Sequence, residues 1–126
     1  MGMTRVLFVD DEPLVLRGLE ALARRDRRIV AVFAHDAARA LVLHGTQELD
    51  VVVTDMRMPG MNGLELLEAL VRRGCTAKRL LLTGHADEEL LVRACKICDD
   101  LLAKPCSWTQ LVAAIAPTDE LPRRLA

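Results

Sequence analysis

The stretch LFVDDEP, residues 7–13, places two aspartates and a glutamate directly after a run of apolar residues that begins at Val6. Four further apolar runs follow along the chain: IVAVFA (29–34), DVVVT (50–54), RLLLT (79–83) and LLA (101–103). These runs are continuous rather than alternating with polar residues, which is typical of strands covered on both faces. We therefore predict five short buried strands, with the three acids at the end of the first.

Segments with helical spacing of apolar residues separate these runs. The apolar positions are Val15, Leu19 and Leu22; Ala38, Leu41 and Val42; Leu64, Leu67 and Val71; Leu90, Leu91 and Ala94; and Leu111, Ala114 and Ile115. The helix boundaries are marked by two pairs with capping-box spacing, Asn62 with Glu65 and Ser107 with Gln110, and by Gly45 and Gly74 after helix ends. Strands that alternate with helices predict one α/β domain with a doubly wound, five-stranded parallel sheet and five helices.

The length of 126 residues fits a single domain, and 17 Lys+Arg against 18 Asp+Glu leave the chain almost neutral. This charge balance does not favour binding of nucleic acid or of a membrane surface by this chain. No segment approaches the ~20 apolar residues needed to cross a bilayer, so we expect a cytoplasmic protein. We expect the domain to cover residues 1–117, with 118–126 as a tail or the start of a linker.

The four cysteines are Cys75, Cys95, Cys98 and Cys106. Cys95 and Cys98 form a CxxC motif, but a zinc site of this type needs a second pair. The motif also falls at the C-terminal end of a predicted helix, where the helix dipole does not favour a thiolate. Small buried thiols are the favoured interpretation over metal or redox chemistry.

Polar residues follow four of the predicted strands. Asp10, Asp11 and Glu12 follow the first, Asp55 the third, Thr83 the fourth and Lys104 the fifth. Because the carboxyl ends of parallel strands share one edge, these side chains should converge there. Each aspartate alone has an ordinary explanation as a turn residue or helix cap, but clustered carboxylates repel one another unless a cation compensates.

Oxygen ligands without histidine or cysteine suit a hard ion such as Mg²⁺, which is usually held by carboxylates, water and phosphate oxygens. Lys104 could supply a point charge for an added anion. A carboxylate beside Mg²⁺ can attack phosphorus and form an acyl phosphate. The pattern thus predicts a site that receives a phosphoryl group, whereas Glu12 is better placed to complement the dipole of the first helix.

Four motifs, VDDEP, VVVTDMRMPGMNGLELL, LLLTGHAD and LLAKP, resemble the receiver domain of two-component response regulators, the CheY-like fold, over residues 4–116. The resemblance implies the strand order 2-1-3-4-5. It also implies roles for individual residues: Asp55 as the phosphoacceptor; Asp10, Asp11, Asp55 and the backbone carbonyl of Arg57 as the Mg²⁺ site; Thr83 and Lys104 as partners of the phosphoryl group; and a cis Lys104–Pro105 peptide bond.

The same resemblance implies a histidine kinase or phosphotransfer protein as the phosphoryl donor, and a downstream effector or a fused output domain as the receiver of the signal. A homodimer could form through the face made by helix 4, strand 5 and helix 5. The protein would be a signalling phosphoacceptor that assists its own phosphorylation and dephosphorylation, rather than an enzyme.

The chain departs from the family pattern at two places. Thr83 and Leu101 would form the conformational switch, but Leu101 stands where receivers usually have an aromatic residue, and the chain contains no Tyr. Ile97 and Cys98 replace the usual Gly-Ala, and a β-branched residue resists the left-handed conformation of a helix-ending glycine. A degenerate receiver that acts as a phosphorylation-independent interaction module is therefore an alternative.

Two further interpretations concern the residues around the acceptor. Arg57 and His85 stand two positions beyond Asp55 and Thr83, where this family tunes the lifetime of the phosphoryl group, although ordinary solvated loop residues would look the same. A phosphatase of the haloacid dehalogenase type would need an acid at the position of Arg57, which disfavours that enzyme class.

Overall fold

The structure is a computed structural model that describes residues 3–85 and 87–116. Five strands and five helices alternate along this part of the chain. The strands are β1 (Thr4–Val9), β2 (Ile29–Ala34), β3 (Val51–Asp55), β4 (Lys78–Thr83) and β5 (Asp100–Ala103). The helices are α1 (Pro13–Arg24), α2 (Ala37–Thr46), α3 (Gly63–Arg72), α4 (Glu88–Ala94) and α5 (Trp108–Ile115). The predicted tail at 118–126 lies outside the described residues.

The strands form one parallel sheet in the order β2-β1-β3-β4-β5. This result confirms the predicted fold class and strand order. The winding direction reverses between β1 and β3, since the chain goes outward from β1 to β2 and then returns across β1 to β3. A crevice forms at the carboxyl ends of strands where such a reversal occurs, so this topology places a candidate site after β1 and β3.

Helices cover both faces of the sheet, and alternate residues of each strand point to opposite faces. On one face Leu7, Val52 and Leu81 pack with apolar residues of α2, α3 and α4. On the other face Phe8 and Val53 pack with residues of α1 and α5. This two-sided burial explains why the strands are continuously apolar.

The predicted capping residues lie where the helices begin and end, with one exception. Asn62 and Ser107 form full capping boxes at the starts of α3 and α5. Gly74 follows α3 with a φ of 83° and donates its N–H to the carbonyl of Val71, in a helix-ending Schellman arrangement. The prediction for Gly45 is wrong, because Gly45 lies inside the last turn of α2.

The predicted core face of α1 is confirmed at Leu19 and wrong at its two other positions. Val15 and Leu22, which the helical spacing assigns to the core, are exposed. The side chains that pack against the sheet are Leu16, Leu19 and Ala23. The apolar residues of α1 form an arc that is wider than the face packed on the sheet, while Arg17, Glu20 and Arg24 share the remaining side, so periodicity alone does not select which part of the arc is buried.

The connection from α4 to β5 contains Ile97 in place of a helix-ending glycine. The N–H groups of Ile97 and Cys98 both donate to the carbonyl of Ala94, at 3.0 and 2.7 Å, and so close the turn. The carbonyl of Ile97 accepts a hydrogen bond from Nε of Arg79 at 2.7 Å. A guanidinium from β4 thus caps this corner, and the left-handed glycine is not needed.

Candidate functional site

The polar residues predicted at the strand ends share the carboxyl edge of the sheet. Asp55 and Thr83 are the last residues of β3 and β4. Asp10 and Lys104 directly follow β1 and β5. The parallel register, which aligns Val9 with Thr54 and Thr83 with Ala103, sets these four positions side by side.

Three carboxylates form a compact cluster at this edge. Among the described residues, Asp10, Asp11 and Asp55 each offer an oxygen atom, and the three oxygens lie within 4.8 Å of one another. Asp10 and Asp55 are each only 4% exposed. Carboxylates at such separations repel strongly in a partly buried setting, which makes the cluster a candidate site for a divalent cation.

The Asp10 carboxylate is held by the turn that leads into α1. Its Oδ1 accepts the N–H of Glu12 at 2.9 Å, which holds the turn into α1. Burial raises the pKa of the Asp10 carboxyl; the N–H of Glu12 opposes this shift, and the neighbouring Asp55 adds to it. The environment therefore disfavours a second negative charge here unless a cation is present.

Among the described salt bridges, only that of Lys104 brings a positive charge into contact with the cluster. Its Nζ lies 2.5 Å from Oδ1 of Asp55. The hydrogen bond to Asp55 raises the pKa of the Lys104 ammonium. The backbone N–H of Lys104 donates to the carbonyl of Thr83, and the Lys104–Pro105 peptide bond is cis. The end of β5 thereby directs the ammonium across β4 toward the acceptor position.

Thr83 is buried at the end of β4, and its hydroxyl is hydrogen-bonded within its own loop. The Oγ1 atom donates to the carbonyl of His85 at 2.9 Å and accepts the N–H of His85 at 3.2 Å. Its hydrogen bonds in this structure therefore run to the β4–α4 loop, while Asp55 is paired with Lys104.

Gly63 is a site residue that the spacing and strand-end patterns of the sequence do not mark. An ideal Cβ at Gly63 would lie 2.1 Å from the backbone carbonyl oxygen of Asp55, a distance that no real side chain tolerates. The N–H of Gly63 donates to the carbonyl of Met56, and the Thr54 hydroxyl donates to the carbonyl of Asp55 at 3.0 Å. The only signal in the sequence is a glycine directly after the helix cap Asn62, where no turn requires one.

An open cleft beside the acidic cluster is lined by residues of the β3–α3 and β4–α4 loops. Its lining residues include Asp11, Arg57, His85 and Leu90. Arg57 and His85 are exposed, and both side chains border the same cleft. The arrangement leaves the carboxylate edge accessible from solvent on this side.

Leu101, the second predicted switch residue, lies in β5 opposite Leu81. It is half-buried and packs against the same core cluster as Ile97 and Cys98. The cysteines are all free thiols; the expectation that they are buried holds for Cys75, whereas Cys98 and Cys106 are half-buried and Cys95 is exposed. Burial raises the pKa of Cys98 to about 11, so this thiol is protonated at neutral pH.

The sequence profile of the response regulator receiver domain matches residues 6–116. The chain belongs to this family of two-component signalling proteins. The transcriptional regulatory protein FixJ of Azorhizobium caulinodans is 37% identical over 112 residues, which cover 87% of this chain and 52% of that protein. The transcriptional activator protein PfeR of Pseudomonas aeruginosa is 34% identical and covers 96% of this chain and 38% of that protein.

Solved receiver structures show the same architecture. The signal receiver domain of an HD domain-containing protein from Pseudomonas fluorescens Pf-5 has a TM-score of 0.82 and 30% identity, covering 90% of this chain and 91% of that chain. The structure described as FixJ-N has a TM-score of 0.81 and 31% identity, covering 91% and 92%. The receiver chain spans about half, or less, of the length of the curated relatives it matches.

None of the helices in the described ranges is both long and apolar enough to cross a membrane.

Proposed function

We propose that this receiver domain is a phosphoacceptor: Asp55 takes a phosphoryl group from a histidine kinase or phosphotransfer protein in a Mg²⁺-dependent reaction. The observation that carries the proposal is the 2.5 Å contact between Lys104 and Asp55 beside the three clustered carboxylates. This set contains a nucleophilic carboxylate, oxygen ligands for a hard cation and an ammonium that can pair with the product.

In the proposed step, a carboxylate oxygen of Asp55 attacks phosphorus while the bond from phosphorus to the donor imidazole nitrogen breaks. The nitrogen keeps the electron pair of that bond, and an acyl phosphate forms on Asp55. Lys104 then exchanges its contact with the Asp55 carboxylate for one with a phosphoryl oxygen. Thr83 donates its hydroxyl to another phosphoryl oxygen after releasing the carbonyl of His85.

The donor set fits Mg²⁺, since Asp10, Asp11 and Asp55 supply hard oxygen atoms and no soft ligand is present in the cluster. We propose that these residues hold the ion, Asp10 through water, together with the backbone carbonyl of Arg57. When bound, Mg²⁺ would offset the charge that builds up between the carboxylates and the phosphoryl oxygens.

Transfer to Asp55 can be tested with acetyl phosphate and Mg²⁺, followed by the intact mass of the protein. We expect a single phosphoryl adduct on the wild type and none on Asp55→Asn, because the amide cannot act as the nucleophile. Asp50→Asn is a matched control, since Asp50 is an exposed aspartate at the opposite end of β3, and it should retain the adduct. An adduct that persists on Asp55→Asn would refute Asp55 as the acceptor.

A degenerate receiver that never takes a phosphoryl group is the second candidate, because Leu101 and Ile97 replace residues typical of the family. This candidate predicts no adduct on the wild type under any Mg²⁺ concentration. By analogy with the family, we also propose that the domain is a signalling component rather than an enzyme, that it acts on a fused or separate effector, and that it is cytoplasmic. A homodimer through α4, β5 and α5 is proposed on the same ground.

A further inference from the structure

The connection from α4 to β5 carries a pair of cysteines that the proposed phosphoryl transfer does not use. Cys95 is the residue that ends α4, and Cys98 follows it by three positions, before β5 begins. The sequence pattern favours small buried thiols for this motif, but Cys95 is exposed and Cys98 is only half-buried. A thiol that solvent reaches is open to thiol–disulfide exchange, whereas a buried thiol such as that of Cys75 is protected from it.

The backbone places the two cysteines on one side of the turn. The N–H of Cys95 donates to the carbonyl of Leu91 at 3.0 Å, and the N–H of Cys98 donates to the carbonyl of Ala94 at 2.7 Å. Both hydrogen bonds span four residues, so helical geometry continues from Cys95 to Cys98. Residues three apart in this geometry share one face, and their Cα atoms are about 5 Å apart. This separation lies within the range of about 4.4–6.8 Å that is usual for disulfide bonds.

The two side chains are also close enough to influence each other. Burial raises the pKa of the Cys98 thiol to about 11; the Arg79 guanidinium opposes this rise, and Asp99 and Cys95 add to it. The Sγ atom of Cys95 donates only to the carbonyl of Val92 among the printed sequence neighbours, at 3.3 Å. A thiol is a weak hydrogen-bond donor, so the Cys95 side chain can rotate toward Cys98 at little cost.

We propose that Cys95 and Cys98 form a reversible intramolecular disulfide bond by exchange with a low-molecular-weight disulfide such as oxidised glutathione. In the first step the Cys95 thiolate attacks one sulfur of the small disulfide, and one small thiolate leaves and takes up a proton. Cys98 then gives its proton to water, its thiolate attacks the sulfur of Cys95, and the second small thiolate leaves. The two cysteines lose two electrons in total, and the small disulfide is reduced to two thiols. Excess small thiol reverses both steps.

The bridge acts on the corner that joins α4 to β5. Ile97 lies between the two cysteines, and Ile97, Cys98 and Leu101 pack against the same core cluster. A bond that closes this short turn restricts its backbone, so it holds the C-terminal end of α4 beside Leu101. The end of a helix does not stabilise a thiolate, so the exchange is slow and suits a response to lasting oxidation rather than catalysis. Transient disulfides in cytoplasmic proteins commonly have such sensing roles.

The bridge can be tested by incubating the chain with oxidised glutathione and measuring its intact mass. We expect the wild type to lose two hydrogen atoms. Trypsin cleaves after Lys96, between the two cysteines, so the bridge should join two peptides that reduction separates. Cys98→Ser should instead retain one glutathione on Cys95, because exchange stops after the first step. Cys106→Ser, which removes another half-buried thiol, is the matched control and should form the bridge as the wild type does.

Hydrogen exchange tests the effect on the corner. The N–H groups of Ile97 and Cys98 should exchange more slowly in the bridged protein than in the reduced protein, because the closed turn opens less often. Addition of reduced glutathione should open the bridge in the folded chain and restore the faster exchange. A wild type that carries glutathione without forming the bridge, a bridge that maps to Cys75 or Cys106, or exchange that is unchanged at this corner would overturn the proposal.

Discussion

Asp55 is constrained through both its side chain and its backbone. The carboxylate contacts Lys104 and lies beside Asp10 and Asp11. The carbonyl accepts the Thr54 hydroxyl and lies against Gly63 at the start of α3. Because the backbone of residue 55 is held by the Thr54 hydroxyl and by Gly63, its carboxylate has few orientations available. Such rigid support is what a reaction that depends on positioning requires.

Gly63→Ala should distort this support. The added methyl group would collide with the backbone carbonyl of Asp55, and neither α3 nor β3 can move away without losing core contacts. We expect a loss of about 2–4 kcal/mol in the free energy of unfolding, measured with urea. Gly45→Ala is the control, because its Cβ meets nothing within 4 Å, and it should stabilise the protein by up to about 1 kcal/mol. Equal effects of the two substitutions would contradict the steric account.

At the scale of elements, α4 is a short helix that is fastened at both ends. Asp87 caps its N-terminus by accepting the N–H of Leu90 at 2.8 Å. Arg93 near its C-terminus forms two hydrogen bonds with the carboxylate of Glu68 on α3, at 3.0 and 3.2 Å. Seven residues are too few for a helix to be stable by itself, so these contacts and its packing must hold α4 in place.

Arg79 fastens the connection that follows α4. Its guanidinium donates to the carbonyls of Ile97, Cys75 and Ala77, and its backbone N–H donates to Oδ2 of Asp99 at 2.7 Å. One residue thus joins the α3–β4 and α4–β5 connections. The planar, five-donor guanidinium suits this task, and a lysine ammonium could not satisfy carbonyls on both connections.

Arg79→Lys should therefore lower the free energy of unfolding by about 1–3 kcal/mol, since carbonyls would lose their donors. Hydrogen exchange should accelerate most around Ile97 and the start of β5. Arg72→Lys, at an exposed position in the last turn of α3, is the control and should change stability by less than about 0.5 kcal/mol. Uniform acceleration of exchange across the whole sheet would contradict a local stabilising effect of the Arg79 hydrogen bonds.

At the scale of the whole molecule, the carboxyl and amino ends of the strands form two edges of the sheet with different roles. The carboxyl edge collects the acidic cluster and Lys104, and the amino edge is closed by hydrogen bonds such as those of Arg79 with Asp99. Repulsion among the carboxylates opposes the compact state, while the buried apolar sheet favours it. A cation that binds the carboxyl edge should consequently stabilise the entire fold.

Mg²⁺ should raise the midpoint of thermal unfolding of the wild type by a few degrees, because a concentration tenfold above the dissociation constant adds about 1.4 kcal/mol. Asp11→Asn should lose this increase while remaining folded without Mg²⁺, since the change removes a ligand and also reduces repulsion. Asp50→Asn, at the opposite end of β3 from the cluster, should keep the increase. A full Mg²⁺ effect in Asp11→Asn would place the metal elsewhere.

Local sequence patterns determined the order of strands and helices and most of the helix caps. The apolar runs predicted all five strands, and the spacing around Asn62 and Ser107 predicted two capping boxes, because these features depend on residues within a few positions of one another. The sequence also indicated that Asp10, Asp55 and Lys104 would share one edge, since parallel topology aligns the strand ends.

Only the tertiary structure decided which side of α1 faces the sheet, because Leu14, Val15 and Leu22 are as apolar as the residues that are buried. It also revealed that Gly63 touches the backbone of Asp55 and that Arg79 caps the corner at Ile97. Contacts of this kind join residues that are distant in sequence, and their geometry depends on how helices are placed on the sheet. Local periodicity carries no information about that placement, whereas close packing of the folded chain fixes it.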